Sequence, residues 1–107
     1  MEKQFVVKRK PPYKQLPADP LKRENQRLYR QNMQSEASRH FPEPTIGEVK
    51  IEIVYTRAEG RHDAANIIGG IIDSLQGIAY VNDRQVVEVH YYEKRGRADE
   101  YSVRISL

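Results

Sequence analysis

The sequence predicts an α+β domain of two layers, a mixed or mainly antiparallel sheet covered by two helices. Three observations carry this. Several segments alternate apolar and polar residues with a period of two, as strands with one wet face do. Two longer segments space their apolar residues as helices do. Their order (strand, helix, strand, helix, strand, strand) suits one sheet with helices on one side.

Gln4 to Lys8 (QFVVK) is the first strand, and Pro11-Pro12 ends it. Tyr13 to Ala18 has no period and reads as a loop. Asp19-Pro20 opens a helix, an N-cap type before a proline at the first helical position. Its apolar stripe (Leu21, Leu28, Tyr29, Met33, Ala37, then Phe41) is thin, which leaves Lys22, Arg23, Arg27 and Arg30 in solvent or against a partner. Pro42 and Pro44 stop it. Gly47 to Arg57 alternates Val49, Ile51, Ile53 and Tyr55 inward. A second helix runs from about Asp63 to Leu75, and Gln85 to Lys94 is a strand. Glu100 to Leu107 returns with Tyr101, Val103 and Ile105 inward. The short Arg95–Asp99 turn makes the last two strands an expected antiparallel hairpin.

With 107 residues, 38% of them hydrophobic, the chain is expected to form one domain, residues 1–107. A domain of this size buries only about two-thirds of its unfolded surface, so a second copy would help. The absence of cysteine excludes disulfides and thiolate metal centres. No apolar run reaches the roughly 20 residues of a membrane span, and no signal-peptide pattern opens the chain. A cytoplasmic protein without membrane contact is expected. Residues 1–40 hold ten Lys/Arg against four Asp/Glu, and residues 41–107 hold eight against eleven. A basic front beside an acidic back suits a polyanion-binding surface next to a carboxylate site. It also suits a solvated helix face.

The stretch from Arg57 to Val87 holds the candidate chemistry. At about 100° per residue, Asn66, Gly70, Asp73 and Ser74 fall within roughly 80° of Asp63, and Ala64, Ile68, Ile71, Ile72 and Leu75 on the other side. Asp63 can cap its own helix, and Asn82-Asp83 can be a plain turn. Asp73 stands against the helix dipole. Residues 76–83 are long enough to return along the helix, which would set Asp83 beside Asp63. Such a pair of ionised carboxylates suits a hard cation such as Mg²⁺. Gly69-Gly70 inside a helix points to close approach by another backbone, such as a facing helix, or to room for nucleic acid or a second copy. Lys10 and Lys14 can face phosphates or simply be solvated.

Asp63, Asn66, Asp73-x-Leu75, Gly77 and Asn82-Asp83-x-Gln85-Val86-Val87 together resemble the RusA-type Holliday junction resolvases. That family implies a small homodimeric endodeoxyribonuclease, dependent on Mg²⁺ (or Mn²⁺), that makes paired cuts in four-way DNA junctions. By resemblance Asp63 and Asp83 take the places of the first and last catalytic aspartates. Asn66 joins them as a catalytic candidate and Asp73 as a third metal candidate. Lys10, Lys14, Arg27, Arg61 and Arg84 are the candidate DNA contacts. The chain departs from the family pattern at Ala65, where a second acidic residue is usual, and at Gly69, where a lysine is usual. Glu59 and His62 are neighbours able to compensate. The other readings are a family member that binds branched DNA without cutting it, and an interaction protein whose acids are all caps and turns.

Overall fold

The structure, a computed structural model, describes residues 1–61 and 63–107. Its elements are β1 (Glu2–Val7), α1 (Pro20–Ser38), β2 (Val49–Arg57), α2 (Ala64–Leu75), a short 3-10 turn (Asp83–Gln85), β3 (Val86–Arg95) and β4 (Glu100–Ser106). The four strands form one mixed sheet in the order β1-β4-β2-β3. Alternation decides which face is inside. Val49, Ile51, Ile53 and Tyr55 of β2 and Tyr101, Val103 and Ile105 of β4 are buried, as expected. Each such side chain contributes roughly 1.5–3 kcal/mol on leaving water, and together they hold both helices on that face.

The expected hairpin is not formed. β3 runs parallel to β2, with Ile51 opposite Val89 and Ile53 opposite Tyr91. β4 crosses the end of β2 and lies antiparallel between β2 and β1. The composition of the strands explains the order. β4 buries its whole inward row, as a central strand does, whereas β3 exposes Val87, Glu88, His90 and Tyr92 and suits an edge. The crossing is tight at Gly96, where a Cβ would overlap the Thr56 methyl. A four-residue link serves a hairpin and a step over one strand equally well, so its length could not choose between them.

α1 starts as its sequence predicts: the Asp19 carboxylate accepts from the amides of Leu21 at 2.8 Å and Lys22 at 3.3 Å. Only Gln26, Met33 and Ala37 of this helix are buried, and Leu21 and Leu28 are exposed. α2 buries Ile67, Gly70, Ile71, Ser74 and Leu75. Gly70 and Ser74 therefore leave the expected polar side and share a face with Ile67, Ile71 and Leu75; the loop after β1 packs on Gly70, and Gln34 of α1 donates to the Ser74 carbonyl at 3.1 Å. A Cβ at Gly70 would overlap the Pro12 carbonyl oxygen and stand 2.6 Å from its carbon. The backbone approach expected at the glycine pair is thus present, but the partner is this loop and not a facing helix. Among the described residues no helix is long and apolar enough to cross a membrane.

Four phenols are pushed above their ordinary value of about 10. Burial is the first cause at Tyr55, Tyr80, Tyr91 and Tyr101, with a bond to Asp99 adding at Tyr55 and one to Glu93 at Tyr91. The native state therefore holds these protons more tightly than the unfolded chain. Their contribution to stability is complete below about pH 10 and is lost above it, as the unfolded tyrosines ionise first. Denaturant melts should show steady stability through neutral pH and a steep fall beyond that point. A second expectation concerns Gly70→Ala, which should destabilise the fold by about 2–3 kcal/mol, read from the denaturation midpoint. Gly47→Ala, with open space around its Cβ, should stay within about 0.5 kcal/mol.

Candidate functional site

Loop residues 10–15 reach α2 because three groups on or near the helix hold them. Gly70 admits the Pro12 backbone. Asn66 takes the Lys14 amide on its main-chain carbonyl at 3.0 Å and the Gln15 amide on its Oδ1 at 2.7 Å. From α1, the buried Gln26 accepts the Tyr13 amide on its Oε1 at 2.6 Å. These bonds bring Lys10 and Lys14, distant in sequence, to Asp63.

Asp63 precedes α2, yet its carboxylate makes no capping bond. The only hydrogen bond it accepts among the described residues is from Asn66 Nδ2, at 3.3 Å. The cap explanation for this aspartate therefore falls away, leaving an exposed carboxylate with one neutral neighbour. It borders two adjoining depressions. One, of about 690 Å³, is lined by Lys10, Tyr13, Tyr55, Arg57, Glu59, Gly60 and Arg61 as well as Asp63. The other, of about 240 Å³, lies between Asp63, Ala65, Asn66, Lys14 and Gln15. Lys10, Lys14 and Arg61 thus surround Asp63, and His62 lies outside the described residues.

The floor of the larger depression is a buried polar network that the sequence reading missed. Arg57 continues the inward row of β2 and is only 3% exposed. Its Nε and Nη2 donate to Glu93 at 2.8 and 3.3 Å, which raises Arg57 above its ordinary value. Glu93 also accepts from the Tyr91 hydroxyl, and the Arg57 guanidinium lies 5.0 Å from the centre of the Tyr55 ring. Tyr55 donates to Asp99 at 2.8 Å, which takes the Ala58 amide as well. These bonds fix the loop that leads to Asp63, and the Arg57 charge is spent on Glu93. The alternation that buries Tyr55 also pointed Arg57 inward; only its charge argued otherwise.

Asp83 is elsewhere. After α2 the chain turns at once: Gly77, at φ +86°, donates to the Tyr80 carbonyl, and Ile78 and Ala79 donate to that of Leu75. These turns use up the length needed to return along the helix. Asp83 stays near the C-terminal end of α2, its amide bonded to Gln76 Oε1 at 3.0 Å, while Asp63 is at the other end, about 18 Å away along the axis. The turn role belongs to Asn82, whose side chain accepts the Arg84 amide. That leaves the Asp83 carboxylate free of hydrogen bonds among the described residues. Asp73 shares this end, paired with Arg30 at 3.1 Å; both aspartates add to the burial that raises Tyr80. Arg84 is exposed beside Asp83.

Arg27 lies on neither centre. With Arg23, Arg30 and Glu24, the last 3.8 Å from Arg27, it lines a third depression, of about 380 Å³, which shares Tyr13 with the 690 Å³ one. The spacing of 23, 27 and 30 is helical and gave the signal for Arg23 and Arg30 as well. A basic track therefore runs from α1 past Tyr13 to Asp63. Among the described residues no three of His, Cys, Asp and Glu converge to hold a metal ion.

Replacing Asn66 by Ala should release the loop locally. The Gln15 amide should lose its protection from hydrogen exchange, the Lys14 amide should keep most of its own, and stability should fall by about 1 kcal/mol.

The family model for endodeoxyribonuclease RusA matches residues 5–106, from β1 to the end of β4. None of the curated proteins matches the chain.

Proposed function

The chain belongs to the RusA family of endodeoxyribonucleases, and from that premise we propose that it cuts four-way DNA junctions with the help of a divalent cation. The observation that carries the reading is Asp63, an uncommitted carboxylate where two depressions meet, ringed by Lys10, Lys14 and Arg61. Cations around a carboxylate suit a phosphodiester backbone, which they neutralise without reading base edges. Arg23 and Arg27 on that track would hold a second stretch of backbone, Arg30 being engaged by Asp73. Recognition is then of junction shape, in a protein we place in the cytoplasm.

Mg²⁺ or Mn²⁺ would supply Lewis acidity and an activated water. The described residues of one chain do not offer a complete site for such an ion, since Asp63 and Asp83 stand at opposite ends of α2. Paired cuts call for two sites related by a two-fold axis. In such a homodimer the partner's Asp83 can face Asp63, which reconciles two uncommitted aspartates with their separation. Asn66, by holding Asp63 and the Lys14 loop, would act as a positioning residue. Asp73, engaged by Arg30, would support the fold at that end.

A synthetic four-way junction with Mg²⁺ tests this. Wild-type protein should release nicked duplexes, and Asp63→Asn and Asp83→Asn should each slow cutting on the order of 100-fold or more. Mixing the two inactive variants should restore about a quarter of the wild-type sites, because half the dimers are mixed and one of their two sites is intact. No recovery would mean that the two aspartates do not share a site across the dimer. Ala65, which leaves no carboxylate two positions after Asp63, favours the second reading, a junction binder that does not cut. That protein would shift the junction in a gel and leave it whole with every metal.

A further inference from the structure

Gly69 is bare because another side chain uses its space. A Cβ at this position would stand 2.9 Å from Cδ of Lys14, 3.1 Å from its Cβ and 3.5 Å from its Cγ. The stem of Lys14 therefore lies on the helix over this glycine. Its root is fixed as well, by the amide bonds of Lys14 and Gln15 to Asn66. A surface lysine ordinarily spends much of its attraction for a phosphate on ordering its own flexible stem. Here the fold has already ordered most of that stem.

The side chain borders the depression that Asp63 also borders, with Ala65 too small to close it. Among the described residues no carboxylate lies within ion-pair distance of the Lys14 ammonium. Arg57, the other cation of the Asp63 surroundings with a fixed position, is neutralised by Glu93. A positive charge on an ordered stem, unpaired among the described residues and sharing a depression with a free carboxylate, meets the need of a phosphodiester whose oxygens gain charge during cleavage.

We propose that Lys14 is the phosphate-contacting cation of the Asp63 site, set on a non-bridging oxygen of the scissile phosphodiester by the groove that Gly69 leaves open. The assignment deepens the nuclease reading and rests on it.

Single-turnover cleavage of a four-way junction by the intact protein, beside binding measured without metal over a range of salt, tests the assignment. Lys14→Ala should slow cutting about tenfold or more at saturating protein, while Lys50→Ala, on the far face of the sheet, stays within about twofold. The double variant Lys14→Ala/Gly69→Lys roots an ammonium on the helix beside the same groove and should recover most of the rate. A Lys14→Ala protein that cuts within about twofold of wild type overturns the proposal. So does a loss that the double variant leaves unrepaired. If the wild-type protein cuts nothing, the nuclease reading fails and binding decides for Lys14. Loss of one phosphate contact should lower the slope of log K against log salt by about 0.9, and an unchanged slope overturns the assignment.

Discussion

The Pro12 carbonyl stands where a side chain at position 70 would be, and the Asp63 end of the molecule depends on this contact between a loop and a bare turn of α2. Without it, the loop would have to stand off the helix by the depth of a methyl group, and neither bond to Asn66 could form. Lys10 and Lys14 would then lose their places beside Asp63. The helix accepts a cost in propensity, roughly 1 kcal/mol per glycine relative to alanine, and receives in return a second packing surface.

The two ends of α2 contrast in how their charges are used. Around Asp63 the acids and bases that could neutralise one another are sorted by depth. Arg57 and Glu93 pair below the surface, while Lys10, Lys14 and Arg61 stay above it with Asp63 and Glu59. A buried ion pair is not a strong stabiliser in itself, since desolvation offsets most of its attraction. Its effect here is geometric, because it holds the end of β2 and the loop leading to Asp63. At the other end Arg30 engages Asp73, and Asp83 remains unengaged. Asp63 and Asp83 thus stay outside the ion pairs at opposite ends of the helix, the separation that the proposed two-fold pairing of chains would bridge.

Much of this was legible in the sequence where a local rule had one solution. Asp19-Pro20 has one good use, and α1 begins there. The alternation of β2 and β4 has one good orientation, and the core follows it. The glycine pair announced a close backbone, as found. What the sequence did not reveal were choices among equivalent solutions. A four-residue link cannot distinguish a hairpin from a step across β2. A return of eight residues can reach Asp63 or spend itself on turns, and the Gly77 turn decided it. The resemblance carried by Asp63 and by Asn82-Asp83 identified the family without depending on either choice, since it rests on spacing along the chain and not on distance in space.

The place of β4 has a consequence for how the chain reaches this state. β1 pairs with β4 alone, so the first of these four strands to leave the ribosome has no neighbour until the fourth emerges. Until then β2, α2 and β3 can assemble as a local unit, with one edge of β2 open and the inward side of β1 uncovered. Closure of the sheet then joins the most distant parts of the chain in a single step, the kind of non-local pairing that slows folding and prolongs exposure of sticky edges. The same insertion that gives the sheet its best-buried strand also makes the nascent chain dependent on holding β1 and β2 apart from other chains until β4 has been made.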